Sequence, residues 1–101
     1  MQIVYEYHDV NTSKHLENFV AEKLTNLENK YDFIIRADVF FKKENTSSDE
    51  TGLICNIRLS LPGPRMFAEA SHGNFENSIS ESINDLERQL RKRKEKMTDH
   101  L

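Results

Sequence analysis

Apolar side chains recur late in the chain at Phe75, Ile79, Ile83, Leu86 and Leu90. These spacings of three and four place them on one face of a helix with about 3.6 residues per turn. They predict one long helix over 74–96, with Asn74 as N-cap and Glu76 suited to the positive end of the macrodipole. A second stripe of the same period, Leu16, Phe19, Val20, Leu24, Leu27 and Tyr31, predicts a helix that starts from a cap at Ser13 or Thr12 and runs to about Tyr31. Elsewhere the period is two. Residues 2–8 place Ile3, Tyr5 and Tyr7 on one side and Val4 on the other. From Ile34 onward, Ile35, Ala37, Val39 and Phe41 are expected to face one way and Arg36, Asp38, Phe40 and Lys42 the other. Leu53, Cys55, Ile57, Leu59 and Leu61 alternate again, up to a tight turn at Pro62, Gly63 and Pro64. Met66 to Ser71 form a short strand whose Ala68 and Ala70 let a helix approach closely. The stretch from Lys43 to Gly52 has no apolar residue and reads as a flexible polar loop.

The predicted order is β-α-β-β-β-α. This is an α+β fold of one domain, residues 1–101, with a four-stranded sheet and two parallel helices on one face. A right-handed crossover makes the second strand parallel to the first, and two hairpins return the fourth strand to that direction. Both helices then run the opposite way and end together. Lys30, closing the first helix, and Arg65, opening the fourth strand, should share that end. About 24 helical residues span roughly 36 Å against about 27 Å for an eight-residue strand, so two turns of the long helix should project.

Charge sharpens this picture. The net charge is −3 and the pI about 5.8, yet residues 1–87 hold 8 basic and 15 acidic side chains whereas 88–101 hold 6 and 2. Arg88, Arg91, Lys92, Arg93, Lys94 and Lys96 form a basic helical tail over 88–97. Within it Arg88, Lys92 and Lys96 make a column of like charge that costs an isolated helix roughly 0.2–0.5 kcal/mol per pair. Glu87 and Glu95 are close enough to offset it. Cations also suit the negative end of a helix, and a charged run is commonly a solvated face. A docked polyanion would instead turn the column's repulsion into binding energy, and nucleic acid is the common one.

Catalytic chemistry finds no support. His8, His15, His72 and His100 lack metal-ligand spacing, and Cys55 on an alternating strand reads as a small buried hydrophobe. Three glycines leave no phosphate-cradling loop. Phe40 and the tyrosines could stack on bases, but strand aromatics are common and no RNP-like sequence surrounds Phe40. No apolar run approaches the roughly 18 residues that span a bilayer, and the N-terminus has no signal-peptide character. The expectation is a cytoplasmic protein that is not an enzyme and uses no cofactor, metal, membrane or small-molecule substrate.

Taken together, these residues resemble the bacterial ribosome hibernation-promoting factors, also described as ribosome-associated inhibitor or sigma-54 modulation proteins. The similar pattern in the first helix is Ser13, Leu16, Phe19, Val20, Lys23, Leu24, Leu27, Glu28 and Tyr31, followed by Asp32. In the second half it is Ala68, Ala70, Asn74, Phe75, Ile79, Ile83, Leu86, Arg88, Gln89, Leu90, Lys92, Lys94 and Lys96. Asn26, Asn74 and Glu76 depart from the family's usual lysine, aspartate and tyrosine. The resemblance implies a fold related to double-stranded RNA-binding domains. It also implies a module that binds the small ribosomal subunit and its rRNA, within the intact ribosome, at the decoding channel. There it would block messenger and transfer RNA and silence translation in stress or stationary phase. Arg88, Arg91, Lys92, Lys94 and Lys96, with Lys23 and Lys30, carry over as rRNA contacts, and Arg65 and Arg93 at the same end complete the candidate set. The chain is expected to be a short-form member. The alternative is a small regulatory protein-binding domain acting through the acidic surface of residues 1–87.

Overall fold

The computed structural model describes residues 1–98, and His100 lies outside them. Six elements follow in the expected order: β1 (Gln2–His8), α1 (Lys14–Lys30), β2 (Arg36–Lys43), β3 (Leu53–Ser60), β4 (Met66–His72) and α2 (Phe75–Thr98). The strands lie side by side as β1-β2-β3-β4, with β1 parallel to β2 and the other two pairs antiparallel.

Helix starts sit where local chemistry places them. The Ser13 hydroxyl accepts the Leu16 N–H at 3.2 Å, so Ser13 rather than Thr12 is the cap. The Asn74 amide oxygen accepts the Asn77 N–H at 2.8 Å. Both satisfy donors that a first helical turn leaves unpaired. At their N-terminal ends the helices bring His15 within 4.0 Å of Glu76. At their C-terminal ends the Lys94 ammonium donates to the Lys30 carbonyl at 3.4 Å. The two helices therefore run parallel.

The core lies between the helices and one face of the sheet. Val20, Leu24, Val39, Phe41, Ile57, Leu59, Ile79, Leu86 and Leu90 are fully buried there. Ser78 and Ser82 widen the apolar stripe of α2, donating to the carbonyls of Leu53 and Cys55 on β3. Their small side chains let the helix lie close to the strand while each hydroxyl keeps a partner.

Three sequence expectations need correction. Ile35 does not join Ala37, Val39 and Phe41 in the core, being 61% exposed. The β1–β2 ladder begins only at Gln2 and Arg36, and the chain arriving from α1 turns Ile34 inward instead. β2 continues through Lys43, because Lys43 pairs with Leu53, so the polar connection is residues 44–52. Phe19 is only half-buried, at the margin of the core.

From Arg91 to Met97 no residue of α2 is buried. The helix continues past the sheet, and the molecule measures 50 × 25 × 19 Å. About two turns project, as the lengths of helix and strand require.

Candidate RNA interface

The projecting turns, the end of α1 and the β3–β4 turn meet at one corner, which brings residues far apart in sequence into one cationic surface. Its geometry follows from the handedness of the β1-α1-β2 crossover and the two hairpins, since both helices must end where β4 begins. Two clefts flank α2 there. One, of about 570 Å³, is lined by Asn29, Lys30, Tyr31, Arg91, Lys94 and Glu95. The other, of about 220 Å³, is lined by Arg65, Met66, Gln89, Lys92, Arg93 and Lys96. Eight of the nine candidate residues belong to this corner. Arg88 lies one turn before Lys92 and is held by Asp85 at 3.5 Å, an offset to the basic column that the sequence reading did not include. Lys23 stands apart, about two turns back along α1, with its ammonium 5.0 Å from the Phe19 ring centre.

The cations differ in what they touch. Lys30 and Arg91 both approach the same carboxylate oxygen of Glu87, at 3.4 and 3.7 Å. Lys94 sits over the Tyr31 ring at 5.5 Å as well as on the Lys30 carbonyl, at the negative end of α1. Arg93 donates through Nη1 to the carbonyls of Pro62 at 3.3 Å and Pro64 at 2.7 Å. Gln89 donates to the Phe67 carbonyl on the outer edge of β4 at 3.0 Å. Sequence reasoning did not anticipate these roles for Glu87, Arg93 and Gln89. The one available signal was the Pro-Gly-Pro turn, whose carbonyls have no partner within the turn and invite a guanidinium.

Other candidate chemistry takes its place as structure. Cys55 is buried, and burial pushes its thiol up to about 12, which removes it as a nucleophile at neutral pH. The Tyr5 and Tyr7 hydroxyls bond to α1, Tyr5 to the Glu17 carbonyl and Tyr7 to the Glu17 carboxylate. Burial first and Glu17 second raise both phenols above their ordinary value. Phe40 is half-buried on the open face of the sheet under Arg58, whose guanidinium lies 5.4 Å from its centre. Among the described residues no group of three or more His, Cys, Asp or Glu is placed to hold a metal ion. No helix among them is long and apolar enough to cross a membrane.

Fold and site together define a small α+β domain that presents a cationic helix end. The chain belongs to the sigma 54 modulation protein / S30EA ribosomal protein family, whose model matches residues 3–98. It is 30% identical over 96 residues to a ribosome hibernation promoting factor of Pseudomonas putida, covering 95% of this chain and 89% of that protein. In structure it is similar to a ribosomal subunit interface protein from Coxiella burnetii, with a TM-score of 0.79, 23% identity and coverage of 93% and 98% of the two chains. The N-terminal domain of Thermus thermophilus Protein Y gives a TM-score of 0.76, 19% identity and coverage of 91% and 98%. At these identities the two solved structures speak for the fold.

Proposed function

We propose that residues 1–101 act as a single ribosome-binding domain, a hibernation factor that docks on the rRNA of the small subunit at the decoding channel. Docked there it excludes messenger and transfer RNA and silences the ribosome in stress or stationary phase. It works by occupancy, with no bond made or broken.

The observation that carries this reading is the convergence of cations at one corner of an otherwise acidic molecule. Lys30 and Arg65 join the basic turns of α2 although 57 and 23 residues separate them from Glu87 and Arg88. A polyanion meeting that corner displaces counterions and gains affinity that falls steeply with salt, whereas the acidic remainder keeps the contact to one end. The Pseudomonas putida relative carries hibernation in its name, and the Coxiella burnetii neighbour carries the ribosomal subunit interface. The geometry of the corner suits both.

Pelleting with purified ribosomes at low salt tests it. The wild type should co-sediment, and Arg88→Glu/Lys92→Glu/Lys96→Glu should stay in the supernatant while remaining folded by far-UV circular dichroism. A wild type that stays at the top of a sucrose gradient would overturn the reading.

A further inference from the structure

The two clefts beside α2 are electrostatically unlike. In the cleft facing α1, Lys30 and Arg91 converge on Oε1 of Glu87, Lys94 is turned back onto the end of α1, and Glu95 lines the wall. Surface pairs of this kind are individually weak. Even so, the Glu87 carboxylate remains in place to repel a phosphate that competes for its partners. The cleft facing β4 has no acidic residue in its lining, and Arg65, Lys92 and Lys96 make no ion pair among the described residues.

Arg93 belongs to the β4-side cleft but is already engaged. Its Nη1 holds the carbonyls of Pro62 and Pro64, and Gly63 lies against it. Gly63 has φ +92, the left-handed region, and a Cβ there would come within 3.4 Å of that nitrogen. The link therefore fastens the turn to the helix, and Arg65, the residue after Pro64, is presented beside Lys92 and Lys96. Lys92 and Lys96 are offset by about 6 Å along the helix axis and point to the same side.

We propose that the β4-side cleft is the seat of the RNA phosphodiester backbone. Lys92 and Lys96 take neighbouring phosphates of one strand, and Arg65 makes a third contact. Arg93 is a positioning residue that holds the turn and touches no phosphate. The α1-side cleft adds less because Glu87 offsets one of the two charges of Lys30 and Arg91 and repels a phosphate that approaches them. This assignment rests on the proposed function and divides its cationic corner into a working side and a masked side.

Ribosome pelleting over a series of salt concentrations tests it, with a thermal melt to show that each variant is folded. Lys92→Gln/Lys96→Gln should lower the steepness of log K against log salt by about 1.4–1.8, the loss of two phosphate contacts. Lys30→Gln/Arg91→Gln, which removes the same charge, should lower that slope by less than half as much, because Glu87 already offsets part of it. Glu87→Gln should tighten binding and steepen the slope, because it unmasks the second cleft. Arg93→Lys keeps the charge but ends one bond short of the Nη1 position that reaches both carbonyls, so it should bind several-fold more weakly with the slope of the wild type. Equal slope losses for the two double variants would overturn the assignment. An Arg93→Lys variant that binds like wild type would overturn the positioning role. If the wild type itself fails to pellet, the proposed function falls, and the inference with it.

Discussion

The two halves of α2 are one continuous helix under opposite rules. From Phe75 to Leu90 it is held by burial, with Ile79, Leu86 and Leu90 fully enclosed and Ser78 and Ser82 bonded to β3. From Arg91 to Met97 no side chain is enclosed, and the helix persists on its own propagation, a favourable dipole and a few surface pairs. The buried face of the first half can bear little change of side-chain volume. The second places no side chain from Arg91 to Met97 in the core, so packing constrains its sequence far less. On the proposed function, stability and binding are separated along one element and should be separable by mutation.

The largest effect expected is on binding. Reversing the column with Arg88→Glu/Lys92→Glu/Lys96→Glu replaces three attractions by three repulsions and should abolish ribosome pelleting. The same change should cost the fold only about 1 kcal/mol, from a new like-charge column at the negative helix end. Loss of the folded state in a melt would break the separation, because it would make the overhang structural.

Next comes the opposite experiment. Leu86→Ala removes a fully buried side chain and should lower unfolding free energy by about 2–5 kcal/mol, measured by denaturant titration. The fraction that remains folded should bind ribosomes with wild-type salt dependence. A changed salt slope would show that packing and docking are coupled.

A smaller effect is expected from alkaline pH. Cys55 lies beneath the buried half, its carbonyl accepting the Ser82 hydroxyl at 2.9 Å. Its thiol is raised from 9.0 to about 12 by burial. A group whose folded value is raised contributes its stability fully below the unfolded value and loses it as pH climbs through the folded one. The melting temperature should therefore decline above pH 9 toward about 12. Cys55→Ala should flatten part of that decline, Tyr5 and Tyr7 supplying the rest through the same sign. An identical pH profile in the Ala variant would remove Cys55 from the account.

The smallest effect is a control on both halves. Residues 45–48 are exposed, and the connection closes on the Glu44 to Gly52 backbone bond of 2.8 Å. Deleting Asn45 to Ser48 should leave the melt nearly unchanged, since loop-closure entropy varies slowly with length. Binding should be unaltered. A large drop would show that the connection packs on the α2 N-terminus, where Gly73 already lies against the Asp49 carbonyl.

Most of the architecture was legible without coordinates because it rests on local regularities. The 3.6-residue stripes at Leu16 to Tyr31 and Phe75 to Leu90, the caps at Ser13 and Asn74, and the alternation through Val39 and Ile57 each depend on residues a few positions apart. Ile35 was misread because its alternation with Ala37 is locally valid. Only the point where β1 begins to pair with Arg36 decides that Ile34 turns inward.

By itself the sequence determined the order of elements, the face each buries and the segregation of positive charge into the last turns. Periodicity, capping and charge count are properties of contiguous chain. The chain's handedness rules even carried Lys30 and Arg65 to the right corner. Which cations there are available was decided by tertiary structure alone. Glu87 meets Lys30 across 57 residues, and Arg93 meets the Pro64 carbonyl across 29. Such pairings depend on how two helices and a turn converge to within a few ångströms, a distance no local pattern encodes. Charge falls off with distance in space, so a lysine's accessibility to a phosphate is set by its nearest carboxylate in the fold and not in the sequence.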